Sequence, residues 1–132
     1  MSQENVELVK RLLDAFNAKD LDRFTGLTTP DFEWSPSMVA IEGEVFVGRA
    51  GIEAYFGRMT DGWDSFRVED GVLRDLGSRV LWSGRLEGRG RISGAPVSAP
   101  LDILYELRDG KISSMRSFLD HDDALKAAGL DE

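Results

Sequence analysis

Cysteine is absent from the 132-residue chain, and histidine occurs once. The first absence excludes disulfides and thiolate metal sites. The second excludes a multi-histidine metal centre within one chain, so neither metal nor cofactor is expected. No apolar run approaches the roughly 18 residues that a membrane span needs. The opening MSQENVELVK has no basic segment followed by an apolar stretch, the mark of a secretory signal. No membrane partner and a cytoplasmic location are therefore the expectations. Basic residues are in the minority, 16 Lys and Arg against 24 Asp and Glu, for a formal net charge of −8; this argues against nucleic acid and anionic membrane surfaces. There is no glycine-rich phosphate loop, internal repeat or low-complexity segment. The length suits one domain, residues 1–132, and 42% hydrophobic with 30% charged residues is ordinary for a globular chain.

What is present is periodicity. Val6, Val9, Leu13 and Phe16 recur at helical spacing and predict a helix over residues 3–18. Lys19-Asp20 breaks it, and Asp20 can cap a second short helix over 21–27. Residues 31–35 read as a strand with Phe32 and Trp34 on one face. Residues 36–47 read as loop with a weak strand at 44–47. Ile52, Tyr55, Phe56 and Met59 stripe a third helix over 48–62. A strand over 66–76 follows, then a meander of strands 80–92, 97–107 and 112–120, and a closing helix over 121–129 with Asp120 as its N-cap. Asp109-Gly110 is a favoured type I′ hairpin pair. Its two-residue turn predicts the pairs Leu107–Ile112, Tyr105–Ser114, Ile103–Arg116 and Leu101–Phe118. Helices first and an antiparallel meander after is the α+β pattern.

Alternation assigns the faces of the meander. One carries Val80, Trp82, Leu86, Ile92, Leu101, Ile103, Tyr105, Arg116 and Phe118, and the helices should cover it. The other carries Arg85, Asp102, Glu106, Met115 and Ser117, and should meet water or a partner subunit. Gly84, Gly88 and Gly90 fall on the covered face. They either leave room for a ligand or permit sharp coiling of a filled sheet. A guanidinium at Arg116 on that face needs a carboxylate, with Glu33, Glu42 and Asp120 as candidates. The aromatic residues on the covered side fit a plain core and an apolar pocket equally.

Five stretches carry a resemblance: residues 7–16 running into Asn17-Ala18-Lys19-Asp20-Leu21-Asp22; Pro30-Asp31-Phe32-Glu33-Trp34; Val47-Gly48-Arg49-Ala50-Gly51-Ile52; Leu107-Arg108-Asp109-Gly110-Lys111-Ile112; and Phe118-Leu119-Asp120 before Ala124-Leu125 and Ala128-Gly129-Leu130. In these the chain resembles the nuclear transport factor 2-like superfamily, and within it the SnoaL-like polyketide cyclase group. The resemblance implies a strongly curved, mixed or antiparallel sheet wrapped into a cone. Three helices of the N-terminal half and a short C-terminal helix close it. It also implies frequent homodimers through the outer sheet face. Ketosteroid isomerase, a cousin, uses a helix tyrosine, a strand aspartate and a protonated aspartate on the third meander strand. Leu12 stands at the first position and Ser35 or Pro36 at the second. An ungapped match puts Asp102 at the third. The tighter Asp109-Gly110 turn moves the match to Ile103 and turns Asp102 outward near Arg85, as alternation also does. The isomerase set is therefore not intact.

SnoaL-type cyclases use an aspartate with histidine help, and the only histidine here is His121, beside Asp120. Arg116 with Glu33 and Asp120 loosely echoes the Asp-Arg-Asp set of limonene-epoxide hydrolase. Two function classes follow. One is a cofactor-free acid–base enzyme (cyclase, isomerase, dehydratase or epoxide hydrolase type) acting on a small apolar substrate, with Arg116, Asp120 and Glu33 as catalytic residues. The other is a homodimeric, non-catalytic module for a small hydrophobic ligand, with an apolar cavity of several hundred Å³. In both, Phe16, Trp34, Tyr55, Phe56 and Met59 would line the ligand from one side, and Trp82, Leu86, Ile103, Tyr105 and Phe118 from the other. A third, an interaction domain with a filled cone, would work through its outer face.

Overall fold

The opening helix α1, Ser2–Ala18, turns Val9, Leu12, Ala15 and Phe16 into the core. It ends where Lys19 takes a left-handed φ of 58°, and the amides of Lys19 and Asp20 close back onto the carbonyls of Phe16 and Ala15. Asp20 then caps α2, Leu21–Gly26, its carboxylate accepting from the Arg23 amide at 3.1 Å. The computed structural model describes residues 2–36 and 44–130. Most of the predicted 36–47 loop, Glu42 included, lies outside the described residues.

The remaining elements are β1 Thr28–Ser35, β2 Phe46–Val47, α3 Gly48–Gly62, β3 Trp63–Asp75, β4 Arg79–Gly90, β5 Pro96–Arg108, β6 Lys111–Phe118 and α4 His121–Ala127. The six strands form one sheet in the order β2-β1-β6-β5-β4-β3. β1 runs parallel to β6 and the other neighbours are antiparallel. The sheet curls strongly, and α1, α2 and α3 lie in its concavity, giving an α+β cone. Ile52, Tyr55, Phe56 and Met59 of α3 are all buried, as their spacing predicts. At the far edge, the Asn17 carboxamide both donates to the Val68 carbonyl and accepts from the Val68 amide, each at 2.9 Å. The Lys19 ammonium donates to the Phe66 carbonyl. These bonds pin the end of α1 to β3.

The second hairpin departs from the predicted register. Asp109 and Gly110 both have positive φ, 55° and 76°, and Leu107 does face Ile112. The ladder then slips: Glu106 faces Ser114, so Ser113 is an extra residue, a β-bulge. The Ser113 hydroxyl donates to the Glu106 carbonyl at 3.1 Å. Beyond it Tyr105 faces Met115, Leu104 faces Arg116, Ile103 faces Ser117 and Asp102 faces Phe118. A one-residue slip exchanges the two faces of a strand. Met115 becomes core, 4% exposed, and the Arg116 guanidinium goes to solvent, which avoids the cost of burying an unpaired charge. The predicted inward placement of Arg116 and Phe118 is thus overturned.

Three further findings concern the meander. β4 ends at Gly90, and Ile92 sits fully exposed in the turn. A Cβ on Gly84 or Gly71 would lie 2.4 Å or 1.5 Å from the Trp82 ring, and one on Gly88 would lie 2.6 Å from the Trp63 ring. Tryptophan rings therefore lie against these glycines, and the column is no open channel. The outer face is not left wholly to solvent. Helix α4 folds back onto it, and Ala124 and Ala128 pack on Leu81 and Leu104, with Phe118 at the margin.

Candidate functional site

The concave side of the sheet and the three helices enclose a slot. Leu12, Leu13 and Phe16 of α1, Phe24 of α2 and Tyr55 of α3 form one wall. Trp34, Val68, Leu86, Leu101, Ile103, Tyr105, Met115 and Ser117 of the sheet form the other. The space between these side chains is about 440 Å³ including its opening to solvent, of which about 30 Å³ is wide enough for the centre of a water molecule. That is room for roughly two waters, well short of the several hundred Å³ expected of a ready-made pocket. Aromatic stacking makes the slot narrow. Trp34 is sandwiched between Tyr55, at 3.9 Å between ring centroids, and Phe24, at 5.1 Å.

Among the described residues, no carboxylate, histidine, lysine or arginine lines this slot. Its polar groups are the Tyr55 and Tyr105 phenols, the Ser117 hydroxyl and the Trp34 indole N–H. Burial pushes both phenols well above their ordinary pKa, so they stay protonated.

Among the sequence-predicted ligand contacts, Phe16, Trp34, Tyr55, Leu86, Ile103 and Tyr105 line the slot. Phe56, Met59 and Trp82 are buried in the core but do not line it, and Phe118 is on the outer face. The three proposed catalytic residues are all elsewhere. Glu33 and Arg116 border an open charged groove on the outer face with Glu106 and Arg108. The Arg116 guanidinium lies 4.9 Å from the centre of the Phe118 ring and forms no ion pair among the described residues. Asp120 caps α4, accepting from the amides of Asp122 and Asp123 at 2.8 and 3.2 Å. Periodicity alone passed over Leu12, Phe24 and Leu101 as lining residues, although each sits on an apolar face visible in the sequence. Met115 and Ser117 were hidden by the bulge.

The structure assembles one polar cluster that the sequence did not disclose. Asp102 faces outward, as the corrected alignment predicts, but its neighbours are not the expected ones. Its Oδ2 accepts from the Ser83 hydroxyl at 2.8 Å and lies 2.7 Å from Nδ1 of His121. The carboxylate is buried, whereas His121 is half exposed at the first residue of α4. Arg85 turns instead to Ser98 and Glu87. At the other end of α4, Arg79 donates to the carbonyls of Ala127 and Ala128, satisfying groups that a helix end leaves unpaired. The cluster clasps α4 to the sheet, and among the described residues no three metal-ligating side chains come together there or elsewhere.

Residues 9–115 match the SnoaL-like domain family. The chain belongs to that family. Its cone is shared by solved structures of low sequence identity. A candidate polyketide cyclase from Xanthomonas campestris pv. campestris is similar at a TM-score of 0.80 and 21% identity, over 96% of this chain and 98% of that one. TerC, co-crystallised with polyporic acid, is similar at 0.78 and 21%, over 96% and 98%. A protein of ketosteroid isomerase-like fold from Catenulispora acidiphila, in complex with trimethylamine, is similar at 0.77 and 18%, over 94% and 93%. No curated protein matches the sequence significantly. As a SnoaL-like domain, the chain has a nuclear transport factor 2-like α+β fold. No helix among its described residues is long and apolar enough to cross a membrane.

Proposed function

We propose that this SnoaL-like protein binds a small, mainly apolar molecule of about single-ring size in the slot of the cone, without acid–base catalysis by a carboxylate or imidazole there. The observation that carries this reading is the lining. It is apolar and aromatic and, among the described residues, contains no ionisable group other than two protonated phenols. General acid–base catalysis needs a group that changes protonation near the working pH within hydrogen-bond reach of the substrate. Neither phenol does so, and Arg116, Glu33 and Asp120 are on the far side of the sheet or at a helix cap. That TerC and the Catenulispora protein were crystallised with small molecules supports the same reading.

The test is a titration of ¹⁵N-labelled protein with isopropylbenzene, followed at the Trp34 indole N–H. A saturable shift at Trp34, weakened by at least tenfold in Leu101→Phe, supports the reading. Shifts confined to outer-face residues, or no saturable shift, would overturn it. The resemblance-based homodimer is a separate proposal. The outer groove alternates acidic Asp31, Glu33 and Glu106 with basic Arg108 and Arg116, a pattern able to complement itself across a two-fold axis. A light-scattering mass of twice 14.7 kDa, lowered by Arg116→Glu, supports it, and a monomer mass at micromolar concentration rejects it.

A further inference from the structure

We infer that α4 is a proton-dependent cover on the outer face: with His121 protonated it is held down by an ion pair to Asp102, and it loosens when the imidazole loses its proton. The inference is independent of what the slot binds. The Asp102 side chain is 5% exposed and the His121 side chain 54%, so one partner is fixed in the sheet and the other is open to protons from solvent. Nδ1 of His121 lies 2.7 Å from Oδ2 of Asp102, which also accepts from Ser83. A buried carboxylate is costly without a counter-charge, and histidine is the side chain that ordinarily changes its charge between about pH 5 and 8.

No other cation takes the place of the imidazole. By register, the outer face around Asp102 carries Glu69 and Arg74 of β3, Arg79 and Arg85 of β4, Glu106 of β5 and Arg116 of β6. Arg85 turns to Glu87 and Ser98, and Arg79 holds the carbonyls of Ala127 and Ala128. Arg116 lies on the Phe118 ring, and Arg74 stands opposite Leu81, in the next outward-facing row. Among the described residues, none of these arginines is ion-paired with Asp102. On the helix itself, Asp120, Asp122 and Asp123 flank His121, and Lys126 lies in the last turn. The three acids add negative charge beside the imidazole and supply no counter-ion to Asp102.

A neutral imidazole can still donate from Nδ1, so deprotonation weakens the bond without breaking it. What is lost is the charge that offsets the buried carboxylate. The helix is poorly placed to absorb that loss. It has seven residues, too few to be stable alone, and between its polar ends it rests on Leu81 and Leu104 through Ala124 and Ala128. Leu104 and Ala127 also border the charged groove of Glu33 and Arg116. Loosening α4 therefore widens that groove and gives it an apolar floor.

The test is hydrogen exchange of the intact protein between about pH 5.5 and 8.5, read as protection factors at the Ala124 and Ala128 amides, which bond to the carbonyls of Asp120 and Ala124. The His121 ring-proton shift is followed in the same samples. Protection in α4 is expected to fall roughly three- to tenfold, the difference between a charged and a neutral hydrogen bond. The fall should share its midpoint with the imidazole titration, while β5 amides keep their protection. His121→Gln, which can donate but carries no charge, should abolish the step and hold α4 at the looser level throughout. Protection that stays flat across the imidazole titration overturns the inference. So does a step of opposite sign, or one that survives in His121→Gln. A parallel loss in β5 also overturns it, because the step would then report global unfolding. The pH series on the unmodified protein decides the matter even if the variant does not fold.

Discussion

Ile103 and Leu104 are consecutive on β5, yet they serve two different interiors. Ile103 points into the cone, where aromatic rings from three helices meet the sheet. Leu104 points the other way, into a thin layer made by Leu81, Ala124 and Ala128 under α4. The inner layer is thick, aromatic and almost without hydrogen-bonding groups. The outer layer is thin, built on alanines, and fringed by Asp102, Ser83, His121 and Arg79. The inner wall therefore owes its order to shape, because large rings stacked in the concavity leave few alternative arrangements. The outer wall owes its order to directed bonds at the two ends of one short helix. A seven-residue helix has little stability of its own, so α4 stays where its clasps hold it.

That contrast can be broken by substitution. Trp34→Ala removes the ring at the centre of the inner stack and should cost about 3–5 kcal/mol in chemical unfolding. A loss below 1 kcal/mol would mean that the inner wall is not the main source of stability. Alkaline unfolding comes next. Both tyrosines of the chain line the inner slot, and burial holds their folded pKa above the ordinary 10.0. A folded pKa raised above the unfolded one gives stability that is fully present below pH 10 and is lost as pH climbs past it. Each phenol should subtract about 1.4 kcal/mol per pH unit above 10. Tyrosinate absorbance should then appear together with unfolding and not before it. Titration of either phenol in the folded protein near pH 10 would place it in water.

Leu104→Ala should cost about 2 kcal/mol, because the residue is 7% exposed under α4. An effect below 0.5 kcal/mol, the size expected of an open surface position, would show that α4 does not rest on the sheet. Asp102→Ala should cost about 1–2 kcal/mol and selectively speed amide exchange in α4, while leaving exchange in β5 and β6 slow. Arg116→Ala should be the smallest change, within about 0.5 kcal/mol. Its guanidinium is exposed and, among the described residues, has the Phe118 ring as its stabilising contact.

Much of this layering was written in local patterns. The 48–62 helix was readable to the residue because Ile52, Tyr55, Phe56 and Met59 repeat at its period and Gly48 follows an extended segment. Asp20 and Asp120 cap the helices they precede, as capping chemistry requires. The bulge at Ser113 was not legible in the same way. A type I′ turn sets the first pair of a hairpin, but whether an extra residue follows depends on which of Met115 and Arg116 gains more from burial, a tertiary matter. The 19-residue separation of Asp102 and His121 likewise has no periodic signature. A hint was available in the apolar Leu81 and Leu104, which point outward on neighbouring strands, and in Ala124 and Ala128, four apart on α4. Together they ask for a helix to cover the outer face. The inward placement of Arg116 failed for the same reason, since it rested on a register that a single residue inverts.

The end of α1 has a consequence for how the protein behaves in a crowd. β3 is the last strand of the sheet, and such an edge offers free amides and carbonyls to any extended chain that drifts past. Here the Asn17 carboxamide already occupies the amide and carbonyl of Val68, and Lys19 occupies the carbonyl of Phe66. A passing strand finds the template taken by a side chain that cannot propagate it. Replacing Asn17 with alanine should therefore show itself less in the unfolding curve than in light scattering on prolonged incubation, as slow growth of strand-joined aggregates.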